Sequence, residues 1–82
     1  MSNEKNKPAH EIRLGRIKAT IWGNETDGGA FRHNVQIRRL YKDEKTSEWK
    51  ASDSFGRDDL PFVMKVSDMA HTWIHQRAKD EV

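Results

Sequence analysis

The chain is expected to be α+β: a three-stranded antiparallel meander, its first strand bulged at Gly15, followed by one C-terminal helix packed on one sheet face, a β-β-β-α order. Three observations predict this. Three segments alternate apolar and polar residues with a period of two, which sends successive side chains to opposite sides of a strand. Short polar segments rich in turn residues separate them. The C-terminal segment instead repeats its apolar positions with helical spacing.

Residues 1–10, MSNEKNKPAH, are polar, contain Pro8 and show no periodicity, so a disordered N-terminal tail is expected there. A chain of 82 residues is expected to form a single domain, here over residues 11–79, with 80–82 as a frayed C-terminus. The first strand is Ile12 to Trp22. Ile17, Ala19 and Ile21 share one face; Arg16, Lys18, Thr20 and Trp22 share the other. Ile12 and Leu14 fall in the opposite phase, and Gly15 sits at the change. An extra residue at a glycine is what a β-bulge supplies.

Gly23 to Gly29 reads as a loop, with Gly28 and Gly29 able to take positive φ. The second strand is Ala30 to Lys42, AFRHNVQIRRLYK. Phe31, Val35, Ile37 and Tyr41 lie on one face with His33 and Arg39. Arg32, Asn34, Gln36, Arg38 and Lys42 lie on the other, broken only by Leu40. The third strand is about Glu48 to Phe55, with Trp49, Ala51 and Phe55 facing the core and Lys50, Ser52 and Ser54 facing away. If Tyr41 pairs with Trp49, Ile37 stands opposite Asp53, and Arg39 is one diagonal step from that aspartate. A structural ion pair at the sheet margin follows.

The helix is expected over Leu60 to Lys79. Asp58 or Asp59 can cap it, and Pro61 is tolerated in the first turn, where its missing N–H costs nothing. Phe62, Val63, Val66, Met69, Ala70, Trp73 and Ile74 form one wide apolar stripe. That stripe and the apolar sheet face should pack together in two layers, leaving the other sheet face without a helix.

The uncovered face is the functional candidate. It holds Arg16, Lys18, Trp22, Arg32, Asn34, Gln36, Arg38, Lys42 and Lys50. Lys and Arg neutralise phosphates and release counterions. Amides and guanidinium groups can read base edges, and an indole can stack on an unpaired base. Charge distribution agrees: residues 1–42 carry nine Lys/Arg against four Asp/Glu, a net of +5, and residues 43–82 carry six against nine, a net of −3. A wet, ordinary sheet face is the bland alternative, since single-layer sheets always have one.

Other chemistry is thin. His71 and His75 share a helix face at i, i+4, but no Cys is present and no HExxH pattern occurs, so no metal site is expected. His33 reads as a partly buried histidine near the sheet edge. No GxGxxG, no GK[ST] and no nucleophile–base spacing appears, so neither a cofactor nor an enzymatic activity is expected, and no catalytic residue is assigned. No apolar run is long enough for a signal h-region or a membrane span, and no small-molecule substrate is evident.

The strings IKATIW, RLYKDE, SFGRDDLPFV and AHTWI resemble those of a group of small uncharacterised bacterial proteins, over about Ile12 to Gln76. The resemblance implies a bacterial, cytoplasmic protein. In layout, strands followed by a helix are similar to plant AP2-type and integrase-arm DNA-binding domains, which lay a three-stranded sheet in the major groove. By that likeness Arg16, Lys18, Trp22, Arg32 and Arg38 would be the contacts. The layout is also similar to PC4-type single-strand DNA-binding proteins, which are dimers with four strands. The chain lacks the AP2 Gly/Trp signature, and it matches the PC4 strand count only if Gly15 splits the first strand. The expectation is a small non-enzymatic module binding DNA or RNA through its basic sheet face. The alternative is a protein-interaction or homodimerisation module.

Overall fold

The computed structural model describes residues 7–25, 28 and 31–80. An antiparallel sheet of four strands in the order β1-β2-β3-β4 carries one C-terminal helix. The strands are β1 (His10–Leu14), β2 (Ile17–Glu25), β3 (Phe31–Lys42) and β4 (Trp49–Ser52); the helix is α1 (Leu60–Asp80), entered through a 3₁₀ turn at Arg57–Asp59. The expected class holds, but the strands number four, not three.

The extra strand comes from Gly15. Its φ is 57°. Leu14 pairs with Ile17 across the two-residue turn Gly15–Arg16. A positive-φ glycine at the first of two loop positions is the type II′ hairpin arrangement. The phase change seen in the sequence is therefore a chain reversal and not a bulge. In a two-residue hairpin, residues i and i+3 face each other, so even positions of β1 share a face with odd positions of β2. Ile12 lies across from Ala19, and His10 from Ile21. β1 also begins at His10, and Ala9 N–H donates to Ile21 O at 2.7 Å, so pairing starts inside the segment assigned to the tail. Residues 1–6 of that segment lie outside the described residues.

β2 runs further than expected: Gly23, Asn24 and Glu25 pair with His33, Arg32 and Phe31 instead of forming a loop. The expected turn at Gly28 and Gly29 falls largely outside the described residues. The helix reaches Asp80, and residues 81–82 lie outside the described residues.

The core is small. Ile12, Ile17, Ala19 and Ile21 from the sheet are buried with Val66 and Ala70 from α1. Leu14, Ile37, Phe55, Val63, Trp73 and Ile74 pack around them. Ala19 and Ala70 are short, which lets helix and sheet approach closely. Phe62 and Met69, assigned to the buried stripe, lie exposed at its margin. Trp73 anchors the other flank: His10 stacks on it at 4.8 Å, half-buried His33 meets it edge-on at 5.8 Å, and the Arg77 guanidinium lies 5.2 Å from its ring centre.

β4 reverses an expectation. Lys42 pairs with Trp49 and Tyr41 with Lys50, one residue out of the register expected. Because side chains alternate, one residue of slip turns the whole strand over. The loop sets the slip. Asp43 N–H donates to Glu48 O at 2.8 Å, Ser47 N–H donates to Asp43 O at 2.8 Å, and Ser47 takes a φ of 61°. The Asp43 carboxylate accepts from the N–H groups of Lys45 at 2.8 Å and Thr46 at 3.3 Å. Trp49 and Ala51 therefore face away from the helix, and Lys50 and Ser52 face toward its side of the sheet.

The register also redistributes the expected ion pair. Arg39 meets Asp59 at 3.5 Å and donates to Ser54 O at 3.0 Å, whereas Asp53 pairs with Arg38 at 3.4 Å. Asp59 accepts the Gly56 N–H at 2.8 Å, closing the 3₁₀ turn backward in place of capping α1 forward. Asp58 is exposed, and its carboxylate lies 3.9 Å from Arg57.

Candidate nucleic-acid interface

The open face can be read row by row across the ladders. Asn24 lies beside Arg32, and Trp22 beside Asn34. Glu11, Thr20 and Gln36 form the next row, then Arg13, Lys18 and Arg38. Leu40 and Ala51 follow, then Lys42 and Trp49. Neighbouring strands stand about 4.8 Å apart, so Arg13, Lys18 and Arg38 are three cations side by side. Like charges directly opposite each other destabilise a sheet, and a bound polyanion would relieve that cost. Asp53 answers Arg38 at the edge of the row, without hydrogen-bond geometry, and the Arg38 Nε is shielded from water. Glu11 is the acid of the neighbouring row.

Two depressions mark the face. One, of ≈460 Å³, is lined by Pro8, Glu11, Lys18, Thr20, Trp22, Gln36, Arg38, Leu40 and Ala51. The second, of ≈360 Å³, is lined by Arg13, Arg16, Leu40, Tyr41, Lys42, Glu44 and Trp49. Leu40 borders both. Trp22 sits in the first, half-buried, and Trp49 in the second, 66% exposed. From Asn34, beside Trp22, to Lys42, beside Trp49, is eight residues of β3, or about 27 Å of strand.

Of the residues expected here, Lys18, Trp22, Arg32, Asn34, Gln36, Arg38 and Lys42 lie on the open face. Arg16 lies in the Gly15 turn at the end of the second depression. Lys50 does not belong to the set: it faces the helix side, and its Nζ lies 3.1 Å from the Asp43 carboxylate. That ammonium, with the two backbone N–H donors, holds the Asp43 carboxyl below its ordinary range.

Arg13 and Trp49 were missed. Arg13 was legible: a Leu-Gly-Arg-Ile string read as a Gly-X hairpin turn puts Arg13 opposite Lys18. Trp49 was not, because its face depends on the loop hydrogen bonds at Asp43. On α1, His71 and His75 bring their rings to 5.9 Å, and among the described residues no group of three His, Cys, Asp or Glu is placed to hold a metal ion. Among the described residues, no helix is long and apolar enough to cross a membrane.

No protein-family model, curated protein or solved structure matches the chain.

Proposed function

We propose that the chain is a small non-enzymatic module that binds single-stranded nucleic acid along its open sheet face. One observation carries this reading: the register sets a row of three cations, Arg13, Lys18 and Arg38, between two indoles in depressions that share Leu40. Cations tracking a backbone, with aromatic rings for bases to stack on, are what a single strand needs. In a duplex the bases are stacked inside and cannot enter such depressions. The order of four strands and then a helix also favours the PC4-type layout over the three-stranded AP2-type one. The span of about 27 Å takes roughly eight stacked nucleotides at ~3.4 Å each, and fewer if the strand is extended.

Titrating the indole fluorescence with single-stranded and duplex oligonucleotides tests this. Tighter single-strand binding is expected, with log K falling against log salt by about 0.7 for each phosphate neutralised. Arg32→Glu combined with Arg38→Glu should abolish binding by a protein that circular dichroism shows still folded. Trp49→Ala should weaken it by about 1–3 kcal/mol. Absence of any fluorescence change or mobility shift at low salt, with folded protein, sinks the proposal.

A further inference from the structure

We propose that the outer edge of β1 is an interface, and that β1 of a second copy of this chain pairs with it, antiparallel, about a two-fold axis at Ile12. Among the described residues β1 is an outer strand of the sheet. Leu40 N–H donates to Arg16 O at 2.7 Å, so even-numbered residues of β2 turn their backbone groups to β3. Odd-numbered Ile17, Ala19 and Ile21 therefore serve β1, where they meet Leu14, Ile12 and His10. The N–H and C=O groups of Glu11 and Arg13 are left pointing out of the sheet. Outward backbone groups of that kind are a template for another strand.

Charge complementarity names the occupant. A two-fold axis that pairs two strands antiparallel stands perpendicular to the sheet. It keeps both helices on one side and sets open-face residues against open-face residues. Centred on Ile12, it places Glu11 opposite the partner's Arg13 and Arg13 opposite the partner's Glu11. Opposite charges facing across strands stabilise the pairing, and like charges oppose it. These are also the residues with outward backbone groups, so each pair exchanges hydrogen bonds in both directions. Moving the axis to Glu11 or to Arg13 sets like charge on like. The other outer strand, β4, carries Lys50 and no acid, so it offers itself no such match. The Ile12 register also fills space. It brings the partner's Leu14 beside His10 on the helix side, where a depression of ≈300 Å³ opens between β1 and α1. His10, Ile12, Met69 and Trp73 line it, and Leu14 is half-buried on its own core. Entry of the partner's Leu14 removes apolar surface from water on both copies. One five-residue strand from each copy is a small contact, so a dimer of about 10–100 µM affinity is expected. The inference does not rest on the nucleic-acid reading, which plays no part in its test.

Sedimentation velocity from about 5 to 500 µM, at low salt and without nucleic acid, should show a dimer fraction that rises with concentration. Glu11→Arg and Arg13→Glu, both at exposed positions, each set like charges across the axis. Each should weaken the dimer by roughly tenfold or more while circular dichroism shows a folded chain. An equimolar mixture of the two variants restores opposite charges at both pairs and should dimerise as the wild type does. Lys45→Glu, exposed in the loop before β4, makes the same change of charge as Arg13→Glu and should leave the dimer intact. A wild-type chain that stays monomeric at the highest concentration overturns the proposal. So does a dimer that survives either single substitution at β1 undiminished, or a mixture that fails to associate.

Discussion

In the β1–β2 hairpin, Ile12, Ile17, Ala19 and Ile21 lie beneath α1 and are buried. In the β3–β4 hairpin no residue of β4 is buried, and the turn is tied by one carboxylate. The first is held by removal of apolar surface from water, which neither salt nor pH weakens directly. The second is held by hydrogen bonds and ion pairs at the surface, where each is worth little and is screened. The two tryptophans of the open face are divided between these hairpins. Trp22 stands on the firm one and Trp49 on the labile one. One end of the candidate interface is thus preformed, and the other depends on a polar loop.

Breaking the apolar hairpin should have the largest effect. Ile21 is fully buried in a core that, among the described residues, holds six buried hydrophobic side chains, Val66 and Ala70 of the helix among them. Ile21→Ala should cost about 2–5 kcal/mol, a large share of the stability of so small a domain. Urea denaturation followed by tryptophan fluorescence would show it as a lowered midpoint in one transition. A loss below ~1 kcal/mol would mean that the helix does not depend on this hairpin.

The turn of the same hairpin comes next. A Cβ at Gly15 would meet nothing within 4 Å, so a substitution there is felt through the backbone alone. At a φ of 57°, Gly15→Ala should cost about 1–2 kcal/mol, and Gly15→Asn less, since asparagine tolerates the left-handed region better. The comparison of the two variants by denaturation separates backbone strain from lost contacts. Equal costs would put the penalty elsewhere.

The difference between the hairpins also explains what the sequence disclosed. The β2–β3 alternation and the helical stripe were legible because burial selects apolar residues at a fixed period, and these elements carry the core. Gly15 announced a change of phase, but a bulge and a two-residue hairpin both change phase, and only pairing distinguishes them. β4 has no buried residue to declare its inward face. Trp49, the bulkiest side chain there, suggested a core position. Its register follows from Asp43 and from the left-handed Ser47, neither of which has a periodic signature. The site inherited both errors, losing Lys50 and gaining Trp49 and Arg13.

Acid should sharpen the contrast with the smallest and most local effect. Lys50 first, then the backbone N–H groups of Lys45 and Thr46, hold the Asp43 carboxyl below its ordinary range in the folded chain. A carboxyl lowered by folding contributes stability that is present above its unfolded value, and this is lost as pH falls through the folded one. From about pH 5 down to about pH 2, the amide resonances of Trp49–Ser52 should move toward unstructured values while those of Ile17–Ile21 stay in place. Asp43→Ala should reproduce the acid pattern at neutral pH and remove its pH dependence. If the β4 resonances of the variant stay at their native positions, the backbone bonds between Asp43 and Glu48 suffice to set the register. Trp49 would then be as firmly placed on the open face as Trp22.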